Sequence, residues 1–441
     1  MSRAKNVSMV MFAALASAAF GAHAMTLTEA LRLAAERDPF LISANAAYSA
    51  DAQLGEQERA GLRPSLGIEG QGMYNDTESQ FAFGSEKDTF PSWSAYLQGR
   101  QPLLRMDWSA RGDRADLRDA IAKDTLDDRM SQFVVRVSQR YLDTMLAEDG
   151  VRQAESESQA IARALDDTRK RYEVELVPGT DLKEAQARDD LAQAQLFSQR
   201  SALDDARDAL QEVTGYDRSP LPLLREDLTI PPLSPPQVDE WVKLATENNP
   251  SRRIAQRQIE LARTTLQSRK AEALPSADVV ARAGRNDSTE YALGQRQDEM
   301  SIGVELTVPI YAGGYNRARV QEAEGRLREA EAEAERIALE TERSVRTYFR
   351  AVETARAEVS AYSRALESAT LAEKAVAAGY DAGTRTITDT LDAKSRVVNA
   401  ARNRNASRLN LLTRLLQLYA ASGTLTPQAV ERADPLLFGT P

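Results

Sequence analysis

The 441-residue chain carries the same short words twice, and that repetition restricts its fold more than any other feature. Asp38-Pro39 recurs as Asn249-Pro250, and Pro64 recurs as Pro275, both at a separation of 211. Further on, RYEVELVPGTDLKEAQ at 171–186 aligns with GYDAGTRTITDTLDAK at 379–394. Tyr172, Thr180, Asp181, Ala185 and Gly215 match Tyr380, Thr388, Asp389, Ala393 and Gly423, all at a separation of 208. A separation that drifts by only three residues across a half-chain predicts two tandem copies of one structural unit. The boundaries that follow are 25–218 for the first copy, 219–236 for a linker, 237–425 for the second copy and 426–441 for a tail. Six prolines between 219 and 237 predict an extended linker.

Each copy has the same order of elements. A helix opens behind an Asx cap with proline at its first position and runs 24 residues, to Leu62 or Ala273. Two strand-like segments follow. An unbroken helical pattern then covers 109–176 and 315–383, and a bend leads into a shorter helix over 181–214 and 388–422. At 1.5 Å per residue the long helix spans about 100 Å, and the two short ones together about 87 Å. Two short helices stacked end to end would therefore flank the long one. Helices of this length need lateral partners to bury their apolar seams.

Residues 1–24 read as an export signal, with Arg3 and Lys5 before an apolar run over 10–20 and Ala22-His23-Ala24 as the cleavage site. The alternative is an N-terminal membrane anchor, for which the apolar run is short. There is no cysteine, and His23 is the only histidine, so the mature chain would lack both the commonest general base and the commonest metal ligand. No cofactor is expected. Loss of Arg3 and Lys5 would shift the formal charge from -10 to -12, which disfavours nucleic acid as a partner.

No other stretch approaches the apolar length of a spanning helix. Between Pro64 and Ser109 the pattern changes to alternation. Leu66, Ile68 and Tyr74 oppose Glu69 and Gln71, while Trp93, Ala95 and Leu97 oppose Ser94, Gln98 and Arg100. In the second copy Val279, Ala281 and Ala283 oppose Asp278 and Arg282, and Met300, Ile302, Val304, Leu306 and Val308 oppose Ser301, Gly303, Glu305 and Thr307. Polar connections at 75–91 and 286–299 would complete two hairpins. These are either amphipathic hairpins on a soluble core or about ten-residue strands of a membrane barrel. Four strands are too few to close such a barrel, so the second reading needs several chains, because open edges are forbidden in lipid.

The segment YDAGTRTITDTLDAKSRVVNA is similar to the Y-x-x-G-T-R-T-x-x-D-x-L-D-A pattern of TolC-type outer-membrane efflux proteins, and with the duplicated plan the resemblance covers nearly all of the mature chain. It implies a mainly α fold with a membrane β-barrel: a homotrimeric, 12-stranded outer-membrane barrel continued by a long α-helical periplasmic tunnel. The protein would be a passive duct for multidrug efflux or type I secretion in the Gram-negative outer membrane, in contact with its lipid. Its iris-like inner mouth would be opened by a periplasmic membrane-fusion (adaptor) protein and an inner-membrane pump of the RND, ABC or MFS type. Asp389 and Asp392 match the family's pore-facing aspartates at the constriction. Tyr380 and Arg385 match its gate-tethering residues, with Thr180 and Asp181 on the partner side. Val177 stands where Arg385 would recur, and Pro178-Gly179 replaces Thr386-Ile387, from which unlike closure of the two bends is expected.

Helix capping is the competing account of these residues, with Thr388 and Asp389 as cap candidates. It suits Asp389 better than Asp392, because the pair sits at i, i+3 on one face where like charges repel. In a threefold assembly the pair would form a ring of six carboxylates, a cation-selective constriction. Two rival readings of the whole chain are a periplasmic coiled-coil scaffold or adaptor that never enters the membrane, and an exported enzyme using Asp166 and Asp167 or Asp189 and Asp190 as acid-base pairs.

Overall fold

The computed structural model describes residues 25–81, 83–215, 221, 222, 224, 225, 232–288, 295–428, 430 and 431. The export segment 1–24 therefore lies outside the described residues, as do half of the linker and most of the tail. The chain is mainly helical. Its elements are α1 (Leu27–Arg37), α2 (Pro39–Ala60), β1 (Ser65–Phe81), β2 (Gly84–Leu104), α3 (Trp108–Glu173), α4 (Gly179–Thr214), α5 (Val238–Asn248), α6 (Pro250–Ala271), β3 (Ser276–Ser288), β4 (Gln295–Thr307), α7 (Tyr315–Asp381) and α8 (Ile387–Ala421).

Local chemistry sets the helix ends. Asp38 caps α2, its Oδ1 accepting the Phe40 N–H at 3.0 Å, and Asn249 caps α6, accepting the Arg252 N–H at 3.2 Å. Proline follows each cap, where its missing N–H costs nothing. The sequence reading placed the first helix of each copy here and missed α1 and α5, the 11-residue helices ahead of the caps. Their apolar spacing held the signal: Leu27, Ala30, Leu31 and Ala34 are all buried on one face of α1.

Those faces form the core. The α1 face packs with Phe133, Val134, Val137 and Tyr141 of α3, Leu210 and Val213 of α4, and Leu409 and Leu412 of α8. A second cluster gathers Trp241 and Ala245 of α5, Val345 and Val352 of α7, and Leu411 and Leu418 of α8. The short helices meet end to end at this level. Arg37 Nη1 donates to the Gly215 carbonyl at 3.1 Å, and Asn249 Nδ2 donates to the Ala421 carbonyl at 2.9 Å. Gly423, at φ 72°, fits there because a Cβ would lie 2.4 Å from the Asn248 backbone. Beside these stacks run α3 and α7, of 66 and 67 residues and each about 100 Å long. Helix α3 packs against α2, α4, α6 and α8, whereas α7 takes its packing from α5, α6 and α8.

The four strands form one antiparallel sheet in the order β1-β2-β3-β4, leaving β1 and β4 as its edges. The strands are longer than the sequence reading placed them. The supposed polar connection at 75–91 is strand: β1 pairs with β2 out to Phe81 opposite Gly84. Strands β3 and β4 likewise pair out to Ser288 opposite Gln295, with 289–294 outside the described residues. Backbone ladders do not require apolar side chains, and ion pairs such as Lys87–Asp76 at 3.2 Å and Arg285–Asp298 at 2.6 Å support these polar ends. The register puts Ile68 opposite Leu97, Leu97 opposite Ala283, and Ala283 opposite Met300, so the four alternations merge into one apolar face. That face is bare: Ile68 is 82% and Ile302 78% exposed. The other face is polar, with Gln98 donating to Glu69 at 2.6 Å and Arg100 and Arg105 both holding Asp278.

Candidate functional site

The two bends close with the same backbone bonds. In the first, the Leu176 N–H reaches the Arg171 carbonyl at 2.9 Å and the Glu175 N–H reaches Tyr172 at 3.0 Å. In the second, 208 positions on, Thr384 reaches Gly379 at 2.8 Å and Gly383 reaches Tyr380 at 3.0 Å. Each needs one left-handed residue, Glu175 at φ 59° and Gly383 at φ 75°. The expectation that the bends close differently is corrected at the backbone level: a hydrogen-bonded turn of this type fixes the chain path whatever the side chains.

The difference lies in the caps. Thr386, not Thr388, is the N-cap of α8; its Oγ1 accepts the Asp389 N–H at 3.1 Å while the Asp389 carboxylate accepts the Thr386 N–H at 3.0 Å. This is a capping box, and Pro178 at the start of α4 has no counterpart to it. The Thr386 N–H and hydroxyl, and then Arg385 and Arg396, hold the Asp389 carboxyl below the usual aspartate range. The cap's contribution is therefore fully present above the ordinary aspartate value and is lost as pH falls through the lowered one. Asp389 thus does what capping asks of it, and Asp392 does something else. Its Oδ1 accepts from Arg188 Nη1 at 2.7 Å, an ion pair from α8 to α4 of the other half, and Arg188 also bonds Glu184 one turn back at 3.2 Å.

Tyr380 is likewise held across the halves, with the Arg171 guanidinium 4.8 Å over its ring. Thr180 and Asp181 lie together at the start of α4, Oγ1 to Oδ1 at 3.4 Å. Arg385 reaches neither of them within the chain; its exposed side chain folds back over Gly379, where a Cβ would meet its Cγ at 2.8 Å. The geometry therefore joins the expected residues to two arginines that sequence reasoning passed over. The signal for one of them was present. Asp181, Glu184 and Arg188 repeat as Asp389, Asp392 and Arg396 at 208, an acid-acid-base stripe at i, i+3, i+7 on one helical face. Glu184 is thus the counterpart of Asp392 in the first copy.

The acidic pairs proposed for catalysis have partners along their own helices: Asp166 pairs with Lys170 at 2.6 Å, and Asp189 accepts from Gln193 at 2.7 Å. Among the described residues no helix is long and apolar enough to cross a membrane.

Comparison with known proteins agrees across the chain. The sequence profile of the family described as "Outer membrane efflux protein" matches residues 30–216 and 241–424. The chain is 28% identical over 422 residues to outer membrane protein TolC of Vibrio cholerae, covering 95% of each chain. It is 26% identical over 422 residues to the alkaline protease secretion protein AprF of Pseudomonas aeruginosa, covering 93% of this chain and 87% of the relative. Its fold superposes on the crystal structure of the outer membrane protein VceC of Vibrio cholerae with a TM-score of 0.75 at 17% identity, covering 90% of this chain and 96% of that one.

Proposed function

Because the chain belongs to the outer membrane efflux protein family, we propose that its sheet is one third of a 12-stranded barrel completed by two further copies. The protein is an outer-membrane channel for efflux or type I secretion, and its family is one of transport ducts rather than enzymes. The observation that carries the barrel is the sheet: one continuous bare apolar face, one polar face and two unpaired edges. Hydrocarbon accepts such a face and rejects such edges, so the edges must be closed by other chains. Unheated outer-membrane extracts in mild detergent should give a trimer by native mass. A monomer in the periplasmic fraction would instead favour the coiled-coil scaffold.

The helices support the same ring. Helix α3 is flanked by both stacks, α2/α4 and α6/α8, but α7 only by α6/α8. If the halves are two copies of one unit, the stack missing beside α7 is the α2/α4 of the next chain. Repeated three times, this head-to-tail contact closes a ring of six units, continuing the barrel as a helical tunnel in the periplasm. The bends then form its inner mouth, a gate opened by a periplasmic adaptor and an inner-membrane pump of the RND, ABC or MFS type. Tyr380 and Arg385 are its restraints in this reading, with Thr180 and Asp181 receiving them across the chain boundary. Substituting Tyr380 by alanine should raise single-channel conductance in planar bilayers by freeing Arg171 from its ring.

The constriction charge is set by Asp389 and Asp392, but unequally. Asp392 is partly neutralised by Arg188 at 2.7 Å, whereas Asp389 makes no ion pair among the described residues and feels Arg385 and Arg396 only at longer range. Replacing both aspartates with alanine should reduce block by multivalent cations, whereas Arg188→Gln should deepen it by exposing Asp392. Unchanged block in both variants would remove these residues from the conduction path.

A further inference from the structure

The in-chain ion pair Arg188–Asp392 joins the arginine of the first charge stripe to the second acid of the second stripe. Advancing each partner by one unit of the repeat changes Arg188 into Arg396 and Asp392 into Glu184 of the next chain. The charges remain opposite. Resting on the closed ring proposed above, we infer that Arg396 of each chain pairs with Glu184 of its neighbour. The mouth is then girdled by six ion pairs, three within chains and three between them.

Both residues are placed for this role. Arg396 is exposed and makes no ion pair within the chain among the described residues. It lies one turn beyond Asp392 on the helical face that carries both pore aspartates. Glu184 is half exposed, with its own helix neighbour Arg188, at 3.2 Å, as its one partner among the described residues. On the same face of α4, seven residues on, Leu191 is 71% exposed, so this flank carries an uncovered apolar side chain two turns from that carboxylate. Charge complementarity and uncovered surface together fit one occupant, the α8 of a second copy.

Alternation gives the arrangement a function. Arg188 bridges Glu184 and Asp392, so each in-chain pair is linked through Glu184 to the adjoining between-chain pair, and the linked pairs ring the mouth as a belt. Separating any two neighbouring bends breaks one pair and exposes the remaining charges of the belt. The belt therefore resists opening at the mouth's full circumference, and it weakens when salt screens it.

The chain has no cysteine, so a paired-cysteine variant is chemically clean. Side chains as long as arginine and glutamate hold their helices too far apart for a reliable disulfide, so the Arg396→Cys/Glu184→Cys protein is treated with a short bismaleimide. A threefold rotation leaves the axial offset of the two positions the same within and between chains, so an internal link is told apart by its monomer mass. Bands at dimer and trimer mass on a denaturing gel, absent from each single-cysteine protein, are the expected result. A protein that is trimeric by native mass yet yields only monomer on that gel overturns this pairing and leaves the ring intact. A protein that is not trimeric at all overturns the ring as well. In bilayers, Arg396→Glu and Glu184→Arg alone should each raise conductance, and the two combined should return it to the wild-type level. Equal conductance in the single and combined variants would deny the belt a part in closure.

Discussion

Replacing Ile302 with arginine will remove the protein from the outer-membrane fraction. Ile302 lies in the middle of the apolar row of β4, opposite Ala281, with 78% of its surface uncovered in the single chain. An arginine on the lipid side of a barrel costs about 2–4 kcal/mol near the midplane. A threefold assembly carries that cost three times. The neighbouring Ser301 pairs with Arg282 on the polar face, so Ser301→Arg tests the same strand at the same depth with the opposite orientation. Arginine at 301 should leave the membrane level of the protein close to normal, measured by immunoblot of fractionated cells. Equal membrane levels for the two variants would mean that the exposed apolar face does not meet lipid.

The second large effect lies in the helical part of the chain. Trp241 of α5 is 1% exposed, donates its indole N–H to the Pro235 carbonyl at 2.8 Å and sits edge-on to Tyr419 at 5.5 Å. It is the largest side chain of the smaller core, which otherwise rests on Val345, Val352, Leu411 and Leu418. Trp241→Ala should cost about 3–5 kcal/mol, the usual range for truncating a buried tryptophan. The loss should appear as a lower melting temperature of the detergent-solubilised protein and as earlier tryptic cleavage near α5. Trp241→Phe keeps the ring contacts and loses the hydrogen bond, so it should fall between. Unchanged melting for the alanine variant would mean that α5 does not anchor α7.

The long elements were legible because their causes are local. Proline after an Asx cap, alternation at period two and an uninterrupted helical run each leave marks within a few residues. The short helices α1 and α5 were missed because 11 residues hold too few turns to stand out beside runs six times longer. Strand ends were misplaced for a related reason. Past Tyr74 and Pro91 the sheet continues on backbone hydrogen bonds and polar side-chain pairs, which leave no apolar alternation to read. At the bends the sequence pointed to the segment but not to its in-chain neighbours. Arg171 and Arg188 stand more than 200 positions from Tyr380 and Asp392, and only the packing of α3 and α4 beside α7 and α8 brings them together.

The bare edges of β1 and β4 also govern the time before assembly. A lone chain offers two rows of unpaired amides and a water-exposed apolar sheet, which is the template on which strands add indiscriminately. In the proposed trimer, finding two siblings is a concentration-dependent step, whereas misjoining needs only one collision with any extended peptide. Survival of the newly made chain is thus a race, and its odds worsen at low expression, when siblings are scarce and strangers are not. The polar strand ends, studded with Lys87, Asp76, Arg285 and Asp298, slow the wrong additions at the tips of the hairpins. The middle of the sheet has no such guard until the proposed ring closes.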